Sequence, residues 1–253
     1  MTRDVPDAEL DAAIESWRSQ GYAVIPAVAD EATLAGLRKR LDDLVAGRAP
    51  DPGLFFQKDS GTGDYRDVGF GQGYEGPDVP YRKIEKLERD PRFFAWLSAP
   101  VFRRIAERAL GSSVTLYRAT VFQKAARVGS DLPWHQDGGR FWGLDRDPCL
   151  QAWTALDDAP TEAGCLEVLP GSHHRGLASP MGGLVPAILA GDVEGIRLPA
   201  RAGDVVLIHN LLWHRSGANR TERPRRAFSA SYLHGDTRCT RKKRAPRQFT
   251  PVF

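Results

Sequence analysis

The sequence has 253 residues, of which 42% are hydrophobic, and its formal net charge at pH 7 is +3. This length and composition are typical of a globular protein with a buried core, and they exclude a disordered or fibrous chain. No apolar run is long enough to predict a membrane span, and the N-terminus lacks the pattern of a secretory signal. Three cysteines without metal-type spacing suit a reducing compartment, so we expect a cytoplasmic protein that is not bound to a membrane.

The first third of the chain is predicted to be largely helical. Asp7 is expected to cap a helix that Gly21 ends, and Asp30 a second helix with leucines recurring on one face. The segment 48–80 is rich in Gly, Asp and Pro and lacks a period, which predicts a mobile loop. Residues 84–110 are predicted to be helical again, with interruptions at Pro91 and Pro100.

Beyond Gly111 the pattern changes to short apolar or alternating runs bounded by turn residues. Strands are predicted at 22–26, 114–122, 150–156, 165–169, 204–209 and 227–233. Short strands after a helical start favour a mainly β sandwich or barrel with flanking helices. No linker divides the chain, so we expect one domain over 1–253, with a helical part and loop at 1–112, a β core at 113–235 and a basic tail at 236–253.

A candidate metal site lies in the sequence WHQD. His135 and Asp137 are two residues apart, and in an extended backbone both side chains would point to one side. A second histidine from another strand would complete a two-histidine, one-carboxylate set, the arrangement of non-haem Fe(II) oxygenases. Taken alone, the triplet also fits a surface histidine in a loop.

A second group of candidates follows the predicted strand at 204–209. His214 is followed by Ser216 and, eleven positions after the histidine, by Arg225. An arginine there could bind a carboxylate through two parallel hydrogen bonds. Its alternative is an exposed member of an arginine-rich surface.

Taken together, four stretches give the sequence its resemblance to a known family. They are WHQD at 134–137, QAWTALDDA at 151–159, GCLEVLPGSHHRG at 164–176 and GDVVLIHNLLWHRSGANRTERPRRAFSASY at 203–232. The sequence resembles the phytanoyl-CoA dioxygenase (PhyH) family of Fe(II)/2-oxoglutarate-dependent oxygenases. The resemblance implies a cupin-like jelly roll, that is, a double-stranded β-helix with helices around it.

The resemblance also implies a cofactor set and residue roles. It makes His135, Asp137 and His214 the ligands of Fe(II) and the catalytic centre. It assigns 2-oxoglutarate to Arg225, Ser216, Trp153 and Lys83, in the order of their fit to the family pattern, with Arg226 as a competitor of Arg225. Dioxygen and 2-oxoglutarate would be consumed, and succinate and CO2 released, as a small-molecule substrate is oxidised.

The carboxylate at the metal site narrows the implied reaction. Related halogenases have Gly or Ala where Asp137 stands, which leaves room for a halide. Asp137 therefore favours hydroxylation or another oxidation without halide, such as desaturation, cyclisation or epoxidation. A secondary metabolite or another small metabolite is the expected substrate.

Six residues near the ligand motifs are candidates for substrate contacts. They are Arg140, Phe141, Trp142, Trp213, Phe122 and Lys124. The first three directly follow the ligand pair, where a loop would overhang the metal. A packed aromatic pair beside a solvated arginine explains them equally well.

The charge is distributed unevenly along the chain. The last 39 residues hold nine Arg and two Lys against Glu222 and Asp236, a balance of +9, so the first 214 residues carry −6. Nucleic-acid binding through 238–244 is an alternative function, although no accompanying motif supports it. A cover over the site mouth and a solvated tail are the other interpretations. A non-catalytic ligand-binding protein on the same fold is a further alternative, and the complete set of site residues argues against it.

Overall fold

A computed structural model describes residues 2–70, 73–191, 193–242 and 248–253. The helices are α1 (Asp7–Gln20), α2 (Glu31–Val45), α3 (Pro91–Leu97), α4 (Pro100–Leu110), α5 (Gly139–Trp142) and α6 (Ala187–Ala190). The strands are β1 (Tyr22–Ile25), β2 (Phe55–Lys58), β3 (Tyr81–Glu85), β4 (Val114–Lys124), β5 (Leu132–Gln136), β6 (Cys149–Ala155), β7 (Leu166–Val168), β8 (Gly183–Leu184), β9 (Ile196–Leu198), β10 (Val205–His209), β11 (His214–Ser216), β12 (Arg225–His234) and β13 (Thr250–Pro251).

The strands form two antiparallel sheets. The larger sheet has the order β1-β10-β6-β12-β4-β3-β2, with β13 paired to β4, and the smaller sheet has the order β8-β5-β11-β7-β9. Side chains of both sheets meet in one apolar cluster that includes Trp153, Val206 and Ala227 of the larger sheet and Leu166 and Val168 of the smaller one. The prediction of a mainly β jelly roll with flanking helices is confirmed.

The outer face of the larger sheet carries the helices. Along β12, Phe228 and Tyr232 point to this side, where the ring of Phe228 lies 5.1 Å from that of Phe93 in α3. Trp96 of the same helix donates a hydrogen bond from Nε1 to Oγ1 of Thr154 in β6 at 3.1 Å. Because side chains alternate along a strand, Ser229 and Ser231 point towards the smaller sheet, and the candidate site lies on that inner face.

The helix ends follow their capping residues. Asp30 accepts a hydrogen bond from the backbone N–H of Thr33 at 2.9 Å, which fixes the start of α2. The left-handed conformation of Gly21 (φ 87°) ends α1. Pro91 and Pro100 each occupy a first helical position, where a missing N–H costs nothing, so they begin α3 and α4.

Two predictions for the segment before β4 are wrong. The helix predicted over 84–110 begins too early, because Ile84 and Glu85 belong to β3, which pairs with β4. The segment 48–80 was expected to be an aperiodic loop, but it contains β2, which pairs with β3 at the edge of the larger sheet. Strands of four or five residues with mixed side chains carry too short a pattern to be recognised without their partners.

The end of the chain returns to the larger sheet. Thr250 lies opposite Leu116 of β4, and the ring of Phe253 stacks on Tyr232 with 6.1 Å between centroids. Residues 243 and 244 of the basic run predicted as a nucleic-acid surface lie outside the described residues. Among the helices that the structure describes, none combines the length and the apolar character of a membrane span.

Candidate active site

Two histidines and an aspartate from neighbouring strands of the smaller sheet form a compact group. His214 in β11 lies opposite His135 in β5, and their ring centroids are 3.9 Å apart. Asp137 follows the last residue of β5, and its Oδ2 lies 3.4 Å from Nε2 of His214. One potential ligand atom from each of the three residues lies within 4.8 Å of the others, so the group could hold a metal ion.

Backbone carbonyls orient both imidazole rings. Nδ1 of His135 lies 2.9 Å from the carbonyl oxygen of Pro133, and Nδ1 of His214 lies 2.9 Å from that of Leu212. Because a carbonyl oxygen only accepts hydrogen bonds, each Nδ1 is the donor. When neutral, each ring therefore presents the lone pair of Nε2, as metal-bound histidines do.

Asp137 is held by a side chain and by the backbone. Gln151 in β6 donates a hydrogen bond from Nε2 to Oδ2 of Asp137 at 2.7 Å. The backbone N–H of Asp137 donates to the carbonyl oxygen of Asn210 at 2.8 Å. These bonds fix the carboxylate across the space between the two sheets.

Burial and mutual charge set the protonation states of the group. Burial lowers the pKa of His135 to about 3. Burial acts to raise the pKa of Asp137, but the hydrogen bond with His214 and the nearby histidine charges outweigh it and lower that pKa. Asp137 also raises the pKa of His214 against the effect of burial. The carboxylate is thus ionised and partnered by His214, in a pair whose place a divalent cation would take.

Arg225 points into the protein, whereas its neighbour Arg226 points out. Arg226 donates from Nε to Asp157 at 2.7 Å and from Nη1 to Asp42 at 2.8 Å. Arg225 is only 3% exposed, and its Nη2 donates to the carbonyl oxygen of Gly164 at 2.9 Å. None of the ion pairs found among the described residues involves Arg225, and burial lowers its pKa to about 10.

The donor atoms of Arg225 are not all used. Its Nε is buried and has no hydrogen-bond partner among the described residues, and its guanidinium lies 5.7 Å from the ring centroid of Trp153. An unsatisfied donor on a buried cation is costly, and a carboxylate would satisfy it through the planar fork of the guanidinium. The residues therefore fit a ligand with a carboxylate group.

Three further predicted co-substrate or substrate residues lie on the inner face near this arginine. Ser216 is buried on β11, two residues after His214. Lys124 lies opposite Arg225 in the β4–β12 pairing and donates a hydrogen bond to the carbonyl oxygen of Ser130. Lys83 of β3 lies opposite Phe122, which is two residues before Lys124 on β4. Nζ of Lys83 pairs with Oε1 of Glu85 at 2.5 Å.

The loop after Asp137 carries the other predicted substrate contacts. Arg140 and Phe141 are exposed, while Trp142 stacks on Tyr117 with 4.4 Å between ring centroids. The guanidinium of Arg241 lies 5.7 Å from the ring centroid of Phe141. The basic segment after β12 therefore packs on this loop at least as far as Arg241.

Trp213 lies away from His135, Asp137 and His214, which form the candidate metal-ligand group. Its side chain packs with Trp134 and Val185 in a separate apolar cluster on the outer side of the smaller sheet. Trp213 precedes His214 in sequence, and alternation along the chain turns the two side chains to opposite sides. The structure thus does not bring Trp213 to the candidate site, in contrast to the sequence prediction.

Gln151, Glu85 and Arg118 also face inwards near the site and are absent from the predicted set. For Gln151 the sequence held a signal, because it stands two positions before Trp153 on the same strand and so shares its face. Glu85 and Arg118 come together only through the pairing of β3 with β4. Their contact could not be read from local sequence.

Known proteins resemble this chain over most of its length. The profile of the phytanoyl-CoA dioxygenase (PhyH) family matches residues 17–227. A phytanoyl-CoA dioxygenase from Arabidopsis thaliana is 26% identical over an alignment of 255 positions, and the match covers 88% of each chain.

Solved structures show the same architecture. The epimerase SnoN in complex with Fe3+, alpha ketoglutarate and nogalamycin RO has a TM-score of 0.73 and 21% identity, and the match covers 98% of this chain and 97% of that chain. EctD from S. alaskensis, with 2-oxoglutarate and 5-hydroxyectoine, has a TM-score of 0.73 and 21% identity, covering 99% of this chain and 87% of that chain. At this level of identity the likeness supports the jelly-roll fold.

Proposed function

The chain belongs to the phytanoyl-CoA dioxygenase family and is an oxidoreductase that depends on Fe(II) and 2-oxoglutarate, and we propose that His135, Asp137 and His214 hold the iron. The observation that carries this proposal is the convergence of two histidines and one carboxylate within 4.8 Å. Two imidazoles and one carboxylate form the facial set typical of non-haem Fe(II) oxygenases.

We propose that Arg225 binds the carboxylate of 2-oxoglutarate that is remote from the metal. Its buried Nε lacks a partner among the described residues, and the aromatic ring of Trp153 forms a wall beside it. Ser216, buried two residues after His214, is our choice for a further polar contact with the same carboxylate. Arg226 is excluded from this role because Asp157 and Asp42 already hold it on the other side of the sheet.

The reaction that we propose is oxidation, in the first place hydroxylation, of a small molecule. When bound, Fe(II) and 2-oxoglutarate supply the oxidising power for dioxygen chemistry, and 2-oxoglutarate leaves as succinate and CO2. The protein orients both groups and shields them from bulk water. Gln151 holds the carboxylate of Asp137. Apolar residues of both sheets, among them Val168 and Val206, pack with Trp153 beside Arg225. A carboxylate at position 137 supports a reaction without halide.

Anaerobic binding of Fe(II) and 2-oxoglutarate tests this proposal. The wild-type protein is expected to develop visible charge-transfer absorption only when both are present, and His214→Ala is expected to lose it. His174→Ala is a matched control, because His174 lies in the 3₁₀ turn Ser172–Arg175 and bonds to the carbonyl oxygen of Ser19. Undiminished absorption in His214→Ala would contradict the assignment.

We further propose that the chain folds as one domain in the cytosol. One apolar core contains Leu10 and Trp17 of α1 together with Phe228 and Tyr232 of β12, so the helical part and the jelly roll share a core. All three cysteines are free thiols, which suits a reducing compartment. A single cooperative calorimetric transition is expected, and two separate transitions would contradict a single domain.

A further inference from the structure

A buried carboxylate joins two cations on the inner face of the larger sheet. Glu85 of β3 is 7% exposed, accepts a hydrogen bond from Nη1 of Arg118 and pairs with Nζ of Lys83 at 2.5 Å. None of these three residues is a metal ligand. One buried carboxylate thus pairs with two cations from neighbouring strands.

Strand register places this cluster on the inner face of the larger sheet, in line with the residue that contacts Asp137. Arg118 of β4 lies opposite Ser231 of β12, and Ser231 lies opposite Gln151 of β6. Gln151 in turn bonds to Asp137. Arg118, Ser231 and Gln151 therefore form one row across three strands. At the other end of this row from Arg118, Gln151 contacts the carboxylate of Asp137.

Arg118 and Arg225 lie far apart along the register of β12, whereas Lys83, level with Ala227 through Phe122, lies closer to Arg225. Arg225 is the first residue of that strand, and Ser231, the partner of Arg118, is six residues further along. At about 3.3 Å per residue the separation is roughly 20 Å. The carboxylate of 2-oxoglutarate that Arg225 holds therefore lies too far along the sheet to contact Arg118.

Exposure shows which end of the interior is open. Arg225, Trp153 and Ser216 are buried. In contrast, the side chains of Lys83, Arg118 and Asp137 are 26%, 27% and 21% exposed. Solvent thus reaches the inner face between the metal-ligand group and the cluster. A substrate that approaches the metal from this side meets Arg118 and Lys83.

We propose that Arg118, held in place by Glu85 beside Lys83, binds an anionic group of the organic substrate, either a carboxylate or a phosphate. This inference rests on the function proposed above and adds the substrate class. Arg118 is the principal contact, because a guanidinium matches both anions and Glu85 fixes its position. Phe122, the partly exposed neighbour of Lys83 in the pairing of β3 with β4, offers an apolar surface to the rest of the substrate.

Ligand-observed NMR on the full chain loaded with Mn(II) and 2-oxoglutarate tests the proposal. The probes are benzoate, phenyl phosphate and the neutral benzamide, and paramagnetic broadening by Mn(II) reports binding near the metal. The NMR signals of at least one of the two anions are expected to broaden, whereas the signals of benzamide are expected to stay sharp. The anion that binds more tightly identifies the preferred group.

The variants assign the effect to the cluster. Arg118→Gln is expected to weaken anion binding at least about ten-fold. The double variant Glu85→Gln with Arg118→Gln is expected to do the same without leaving a carboxylate unpaired. Arg103→Gln, on the exposed side of α4, is the matched control and is expected to bind like the wild type.

Three results would overturn the proposal: no anion binding, equal binding of benzamide, or undiminished binding in both cluster variants. Thermal denaturation shows whether each variant is folded. Mn(II) binding, measured by electron paramagnetic resonance before the probes are added, separates the two hypotheses. A protein that does not bind Mn(II) contradicts the proposed function, whereas one that binds it without binding anions contradicts only the substrate class.

Discussion

Gln151 donates a hydrogen bond from Nε2 to Oδ2 of Asp137 at 2.7 Å, across the space between the two sheets. The donor belongs to β6 of the larger sheet, and the acceptor follows β5 of the smaller one. The two sheets therefore both position one carboxylate of the candidate metal site. A change in their separation would move Asp137 relative to His135 and His214.

Replacement of Gln151 by Leu is expected to weaken Fe(II) binding. Loss of a partner that orients a metal ligand typically costs about 10- to 100-fold in metal affinity. Anaerobic titration with Fe(II) measures the effect. Gln123→Leu is a matched control, because Gln123 lies on β4 next to the outer surface and lines a groove with Pro80 and Pro224. Equal affinities for Gln151→Leu and the wild type would show that the hydrogen bond does not position Asp137.

Replacement of Arg225 by Gln is expected to weaken 2-oxoglutarate binding while Fe(II) binding persists. A hydrogen bond to a charged group contributes about 1.5–3 kcal/mol, which corresponds to roughly 10- to 150-fold in affinity. Calorimetric titration of the Fe(II)-loaded protein under anaerobic conditions gives the dissociation constant. Arg226→Gln, which removes the ion pairs with Asp157 and Asp42, is expected to lower stability and leave this constant unchanged. The reverse pattern would assign the carboxylate to Arg226.

The sequence predicts the parts of the fold that carry a long local pattern. The apolar period and the capping residues predict α1 and α2, and the long alternating run predicts β4. In contrast, β5 and β11 have five and three residues, and neither was predicted as a strand. Their histidines were found because the family motif includes them, not because the strands could be recognised.

Contacts that depend on strand pairing could not be predicted from the local sequence. Whether Glu85 meets Arg118 depends on the register of β3 against β4, which no local pattern specifies. The same reason explains the error at Trp213, since its proximity to His214 in sequence says nothing about which side it faces. Gln151 is intermediate, because alternation with Trp153 predicts its face but not its partner Asp137.

His209 is expected to make the protein less stable in mild acid. Burial, with smaller contributions from His173 and His174, lowers its pKa from 6.5 to about 4. The unfolded chain therefore binds a proton over the range from pH 6.5 down to 4 in which the folded protein does not. Stability consequently falls as the pH decreases through this range.

The variant His209→Asn isolates this contribution. Asn keeps an acceptor for the backbone N–H of Leu211, which bonds to Nδ1 of His209 at 3.1 Å. Between pH 7 and pH 5 the wild type is expected to lose roughly 1–2 kcal/mol more stability than the variant. Urea unfolding of both metal-free proteins at the two pH values measures the difference. Parallel losses in the two proteins would contradict the prediction.

Asp90 stabilises the packing of α2 against α3. Its Oδ1 accepts hydrogen bonds from the backbone N–H groups of Arg92 and Phe93, and its Oδ2 accepts from Nε of Arg40 at 2.5 Å. Asp90→Ala removes the helix cap and leaves Arg40 without this partner, so a loss of roughly 2–4 kcal/mol is expected. Asp90→Asn keeps a capping oxygen and is expected to lose less. Urea unfolding that ranks the two variants equally would assign the whole effect to the ion pair.

The most direct test of the assigned site is a crystal structure of the protein with Mn(II) and 2-oxoglutarate. We expect one metal ion bound by Nε2 of His135, Nε2 of His214 and the carboxylate of Asp137. We expect the far carboxylate of 2-oxoglutarate on the guanidinium of Arg225, beside Trp153. A metal ion held by other residues, or 2-oxoglutarate bound away from Arg225, would contradict the account.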